Sequence, residues 1–224
     1  MSSSPTLSID IVSDVVCPWC IIGYRQLERA ADLIADRADV EMRWHPFQLA
    51  PDLPQEGQLL TDYMRERYGA SPEQGRGNRA RLIETGAALG IDFRYSDNSR
   101  IYSSHRAHQL LHWAGEVGGQ TPLKLALFHA YFTDQDNIAE TDILLAAVGK
   151  AGLDVEAARA VLQDGRYVSA VDQEVAHWQD QNITGVPAFI VNGKYMIPGA
   201  QDAETFVRVL EKIITKEADL TAVA

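Results

Sequence analysis

Apolar and polar residues alternate from Leu7 through Ser8, Ile9, Asp10 and Ile11, a period of two that predicts a half-buried strand ending at Ser13-Asp14. The period then changes. From Ile21 to Ala38, Tyr24, Leu27, Ala31, Ile34 and Ala35 recur three or four apart, with Arg25, Glu28, Arg29 and Asp32 between them, which predicts an amphipathic helix. Val40, Met42 and Trp44 alternate with Glu41, Arg43 and His45 in a second strand, stopped by Pro46. Strand, helix and strand in this order form a βαβ unit, whose crossover favours a parallel, right-handed pairing.

From about Gln58 to Gln181 the periodicity is helical, with almost no strand signal. The predicted helices are Leu59–Tyr68, Glu73–Leu89, Ser104–Val117, Pro122–Thr133, Asp142–Ala151, Val155–Gln163 and Val168–Asp180. Breaks fall at Gly69, Gly90, Gly118-Gly119 and Gly152, and Pro72 and Pro122 stand near helix starts. The β pattern resumes at Ala188 to Val191. There Asn192-Gly193 signals a hairpin turn and Lys194 to Ile197 can return antiparallel. A final helix is predicted from Ala203, with Asp202 as N-cap and Phe206, Val207, Leu210, Ile213 and Ile214 on one face. The predicted fold class is α/β, with a βαβ start and a ββα end. That layout resembles thioredoxin; residues 1–57 and 182–224 would form its domain, and residues 58–181 an all-helical inserted domain.

Charge narrows the function. The formal net charge is −11 with no basic run, which speaks against nucleic acid, since phosphate binding needs clustered Lys and Arg. No apolar stretch approaches the roughly 20 residues of a membrane span. Met1 to Leu7 lacks the basic and long apolar regions of a secretory signal, so the expected location is cytoplasmic. In that compartment thiols are kept reduced, and two cysteines three positions apart make no structural framework. Cys17 and Cys20 therefore either do chemistry or are incidental.

Their position favours chemistry. A first thiol at a helix start faces unpaired N–H groups and the positive end of the macrodipole, which favour the thiolate, the attacking species. Cys17 is thus the expected exposed nucleophile, with a lowered pKa. Cys20, one turn inward, suits the resolving role, in which it attacks the mixed disulfide and releases product. Pro18 fits a first helical turn. The alternatives are half of a zinc site, which would need His to complete it, or two core cysteines by chance.

Three other features carry weaker signals. Asp14, three residues before Cys17, could shuttle protons, but reads more simply as a turn residue bonded to local backbone. His105, His108 and His112 fall within roughly a 60° arc opposite Ala107, Leu110, Leu111 and Ala114. They read as a solvated polar face and not as a metal site. Trp19 is expected to face outward as an apolar contact for a substrate, the alternative being packing against the helical insertion.

The residues Ser13-Asp14-Val15-Val16-Cys17-Pro18-Trp19-Cys20 with Gly23, Trp44-His45-Pro46-Phe47-Gln48-Leu49, Asn98-Ser99 and His105-Arg106-Ala107 resemble the DsbA-like branch of the thioredoxin superfamily. So do Leu127 to Phe132, Gly185-Val186-Pro187-Ala188-Phe189, Asn192-Gly193 and Gly199-Ala200-Gln201, and within that branch these residues resemble the FrnE-type oxidoreductases. The resemblance implies a thioredoxin core with a helical insertion and dithiol–disulfide exchange with protein substrates. It implies a cellular thiol reductant or oxidant as second partner, and no metal or organic cofactor. It also implies that Pro187 is a cis-proline facing the cysteine pair, with Val186 beside it; a proline opening an apolar strand needs a special reason. Two rivals remain. The kappa-class glutathione transferases and hydroxychromene-carboxylate isomerases share the insertion but typically use serine where Cys17 stands, and a redox sensor would respond without turnover. Substrate, direction (oxidase, reductase or isomerase) and whether the chain works as a homodimer stay open at this point.

Overall fold

A computed structural model describes residues 5–223. In chain order, β1 (Thr6–Ser13), α1 (Pro18–Leu33) and β2 (Asp39–Pro46) make the βαβ unit. There follow β3 (Gln58–Leu59), α2 (Leu60–Tyr68), α3 (Pro72–Ala87), β4 (Arg100–Ile101), α4 (His105–Glu116) and α5 (Gln120–Phe132). Then come α6 (Thr141–Lys150), α7 (Val155–Asp164), α8 (Val168–Asp180), β5 (Ala188–Val191), β6 (Tyr195–Pro198) and α9 (Ala203–Val223).

The main sheet runs in the order β2-β1-β5-β6. β1 and β2 are parallel, with Leu7 opposite Val40 and Ile11 opposite Trp44. β5 joins β1 antiparallel, Phe189 opposite Ile11, and β6 returns on β5 through Asn192 and Gly193. The loop has three residues, Asn192 to Lys194, and Asn192 and Gly193 have positive φ, 53° and 63°, the left-handed conformations of the tight turn that the Lys194 amide closes on the Val191 carbonyl. Leu7, Ile9 and Ile11 of β1 are buried in the main core with Leu27 of α1, and Phe206 and Leu210 of α9. Val12 points the other way, against Phe47, Ile183 and Ala188. The sheet is thus covered on both faces, and β1 and β5, each paired on both edges, are its two inner strands.

Where α1 crosses β5 the two lie very close. A Cβ built on Gly23 would stand 3.0 Å from Phe189 Cζ, 3.2 Å from Pro187 Cγ and 3.3 Å from Ala200 Cα. A larger residue fits there only if these neighbours give way by a few tenths of an ångström.

Three boundaries differ from the pattern-based expectation. α1 begins at Pro18 and stops at Leu33, not Ala38, because residues 34–37 turn the chain back toward β2, with the Arg37 amide donating to the Ile34 carbonyl. α5 begins at Gln120, so Pro122 lies in its first turn, where a missing N–H costs nothing. β3 and β4 pair as two-residue strands, Gln58 opposite Ile101, too short for a periodicity to register. A larger correction concerns α4. It contacts α5, α7, α8 and β2, so the helix is covered on most sides and its histidine face is not a free solvated surface.

Candidate active site

Cys17 caps α1 in an extended conformation (φ −92°, ψ 112°), with Pro18 as the first helical residue. Its amide donates to the Asp14 carbonyl at 3.2 Å, closing the turn before the helix, and the Cys20 amide donates to the Cys17 carbonyl at 3.1 Å in the first helical turn. Both thiols are free. Contrary to the sequence expectation of an exposed nucleophile, Cys17 is only 4% exposed, and Cys20 is wholly buried. The Cys17 Sγ donates to the Val186 carbonyl across 3.6 Å. The Val186–Pro187 peptide is cis, and the Pro187 carbonyl accepts the Gly199 amide at 2.8 Å. The Pro187 ring lies against α1 at Gly23. The chain from β5 thus meets the first thiol although 169 residues separate them.

Trp19 does not project outward. It is half-buried against the core, and the Arg81 guanidinium of α3 sits 5.5 Å over its ring, so it packs against the insertion.

Asp14 is more than a turn residue. Its carboxylate is buried and accepts the Val16 amide at 3.4 Å and the Leu49 amide at 2.7 Å. His108, expected in solvent, is 3% exposed, and its Nε2 lies 3.4 Å from Asp14 Oδ1 without completing a hydrogen bond. Burial alone would raise the Asp14 pKa, but His108 and the Leu49 amide outweigh it and hold the carboxyl below its ordinary value. Burial pushes the His108 pKa down, against the pull of the Asp14 carboxylate. The other two histidines serve different carboxylates: His105 Nε2 is 2.9 Å from Asp172, and His112 Nδ1 is 3.4 Å from Glu174. Among the described residues no group of three or more His, Cys, Asp and Glu is placed to hold a metal ion.

The two thiols differ in acidity, and not in the sense the helix start suggests. The bond to Cys20, then burial, raises Cys17 well above an ordinary thiol. Burial would raise Cys20 too, but Cys17, Ser13 and the ammonium of Lys124 outweigh it and lower Cys20. The helix N-terminus favours a thiolate at Cys17, yet that sulfur is covered and also feels the Asp14 charge, whereas Cys20 faces a cation. Lys124, on α5, was not singled out from the sequence. The available signal was a lone cation inside Leu123-Lys124-Leu125-Ala126-Leu127-Phe128. Leu49, which contributes only its backbone amide, and Ser13, whose side chain acts on Cys20, carry no local sequence signal of a site role.

Comparison with known proteins finds relatives along nearly the whole chain. The chain is 28% identical over 213 residues to the uncharacterized Bacillus subtilis protein YwbO, covering 95% of this chain and 98% of that one. It is 31% identical to a probable DsbA oxidoreductase from Streptomyces coelicolor, with a TM-score of 0.84 over 92% of this chain and 89% of that one. The cytosolic disulfide reductase DsbM from Pseudomonas aeruginosa, solved with GSH, shares the fold at 17% identity, with a TM-score of 0.62 over 93% and 98% of the two chains. The DSBA-like thioredoxin domain matches residues 8–211, and this chain belongs to that family.

Proposed function

We propose that this protein is a thiol–disulfide oxidoreductase acting on protein substrates, with Cys17 as nucleophile and Cys20 as resolving thiol. The observation that carries the reading is the dithiol at the start of α1 with the Val186 carbonyl 3.6 Å from Cys17 Sγ. Family membership and the DsbA-type neighbour support the same chemistry.

Cys17, once it gives up the proton that Cys20 and burial hold on it, attacks one sulfur of a substrate disulfide as the thiolate; the substrate S–S bond breaks and its electron pair leaves on the second substrate sulfur, which takes up a proton. Cys20 then forms the Cys17–Cys20 bond and expels the first substrate sulfur as thiolate, so substrate is reduced by two electrons and the protein is oxidised by two. A cellular thiol restores the dithiol, or an oxidant drives the cycle the other way, and isomerisation would need release before resolution. Val186, beside Cys17, offers backbone groups to an extended substrate segment, which would pair in β-fashion. The redox-active pair itself supplies the chemistry, with no cofactor. A cytosolic setting and FrnE-type kinship belong to the same proposal; DsbM shows that this fold serves a cytosolic disulfide reductase.

The test is insulin reduction with a thiol reductant, beside glutathione conjugation. The native protein should turn over many equivalents, Cys17→Ser none, and Cys20→Ser should accumulate mixed disulfides. A single stoichiometric response would identify a sensor, and conjugation without insulin reduction would identify a transferase; either overturns the proposal.

A further inference from the structure

Trp19 stands between the two cysteines in the chain, and the guanidinium carbon of Arg81 on α3 lies 5.5 Å from its ring centroid, over the ring. A guanidinium set over an aromatic face is held by the ring and keeps the N–H donors along its own edge free for a carboxylate. Arg81 spends those donors on nothing. It is exposed, and among the described residues it has neither a hydrogen bond nor an acidic partner. The acid nearest to hand, Asp97, is taken by Arg79 at 3.2 Å.

The backbone that carries Arg81 is fixed. Leu82, beside it, is buried, and a Cβ built on Gly86 would stand 2.4 Å from Cδ2 of the buried Phe93, so this half of α3 lies tight on the core. Helix α3 in turn contacts α1, which carries the dithiol. Two more exposed arginines of the α2–α3 pair lack an acidic partner among the described residues, Arg67 and Arg76. Residues 60–87 hold five arginines against four acids, in a chain whose formal net charge is −11. A locally cationic surface on an otherwise acidic protein favours an acidic partner at that place and disfavours a basic one.

We propose that Arg81 is a specificity-determining residue that holds a carboxylate close to the reacting cysteine of the substrate, so that the preferred substrates are protein disulfides flanked by aspartate or glutamate. The inference rests on the oxidoreductase reading above. An extended chain advances about 3.3 Å per residue. With the substrate sulfur bonded to Cys17, an acidic side chain one or two positions away comes over Trp19 and within the span of the Arg81 fork. The ring holds the guanidinium in place beforehand, so little side-chain freedom is lost when the carboxylate arrives.

The test is reduction of disulfide-linked peptide dimers that carry glutamate or glutamine next to the cysteine, at low salt, by the native enzyme, Arg81→Gln and Arg81→Lys. Arg159→Gln, on α7, removes the same charge from another helix and serves as control. A glutamate next to the cysteine also alters the reactivity of the disulfide itself. The readout is therefore the ratio of kcat/KM for the glutamate peptide over the glutamine peptide, compared between enzymes, in which that intrinsic difference cancels. Arg81→Gln should lower the ratio about three- to fivefold, the size of an exposed ion pair, chiefly through KM. The difference should vanish in about 0.5 M salt. Arg81→Lys should keep part of the native ratio, and Arg159→Gln all of it. An unchanged ratio in Arg81→Gln overturns the proposal, even where both peptides react more slowly, since uniform slowing is what a merely structural arginine would produce. An equal fall in Arg159→Gln overturns it as well. Dithiodiglycolate against its diamide forms the last arm: if only this small disulfide depends on Arg81, the carboxylate recognised is that of a small molecule and the proposal fails. Failure of the underlying reading looks different, because the native enzyme would then reduce neither peptide.

Discussion

Gly23→Ala separates two opposing effects at the place where α1 meets β5. Alanine is better than glycine in a helix interior by about 1 kcal/mol. Against that, the new Cβ would meet Phe189 Cζ at 3.0 Å, Pro187 Cγ at 3.2 Å and Ala200 Cα at 3.3 Å. Phe189 is itself locked edge-to-face on Phe206, centroids 4.9 Å apart, and both rings are fully buried, so it has little room to give. Overpacking of this kind costs about 1–3 kcal/mol. Gly77→Ala on exposed α3 is the matched control, because nothing lies within 4 Å of its added Cβ and only the helix preference remains. The control should raise the melting temperature by about 2–4 °C for a chain of this size. Gly23→Ala should fall below the control by the packing cost alone, about 1–3 kcal/mol by urea unfolding, because the helix preference cancels between them. The same Cβ pushes Pro187 away from α1, and with it the Val186 carbonyl that faces Cys17. Insulin reduction should therefore slow by roughly three- to tenfold, since catalytic geometry is sensitive to shifts well below 1 Å. If Gly23→Ala is as stable as Gly77→Ala and equally active, the close crossing does not constrain the site and the reasoning fails.

Two further predictions concern charge. Asp14→Asn keeps one acceptor for the Leu49 amide but sets a donor against its remaining neighbours and removes a buried charge, which should cost about 2–3 kcal/mol. Because the Asp14 pKa is depressed in the fold, its contribution is present above the ordinary carboxylate value of 3.8 and is lost as pH falls through the lower folded value; the variant should lose that dependence in acid unfolding. The Asp14 charge also helps to hold Cys17 up, so the variant dithiol should be more acidic and more oxidising, by about 30 mV for each pKa unit, as read by glutathione redox titration. A potential unchanged or lower would contradict this. His45 bridges Asp10, at 2.9 Å, and Glu174; burial lowers its pKa, but the two carboxylates outweigh burial and raise it. Its stabilisation is therefore full below the unfolded value of 6.5 and is lost as pH rises through the folded value. His45→Gln should remove that decline between neutral and mildly alkaline pH in thermal melts, and a native profile in the variant would refute the assignment.

The sequence by itself determined the elements and the chemistry at their ends. A period of two marked β1 and β2, helical periodicity marked the middle of the chain, and Asn192-Gly193 marked the β5–β6 turn, because each signal is carried by residues close in the chain. The spacing of Cys17 and Cys20 at a strand–helix junction was readable for the same reason. What only the tertiary structure decided is everything that depends on contact between distant segments. His105, His108 and His112 share one helical face, but periodicity describes a helix alone; the packing of α4 against its neighbours buries His108 and sends the three rings to three different carboxylates. Cys17 looked exposed because its local position says so, and it is covered because Val186 arrives from the other end of the chain. Lys124 gave almost no local signal, since one cation in an apolar run is equally compatible with snorkelling to solvent. Its burial beside the dithiol follows from where α5 packs, and with it the division of charge between the two sulfurs, because electrostatic effects depend on distance in space and on exclusion of water, neither of which is written along the chain.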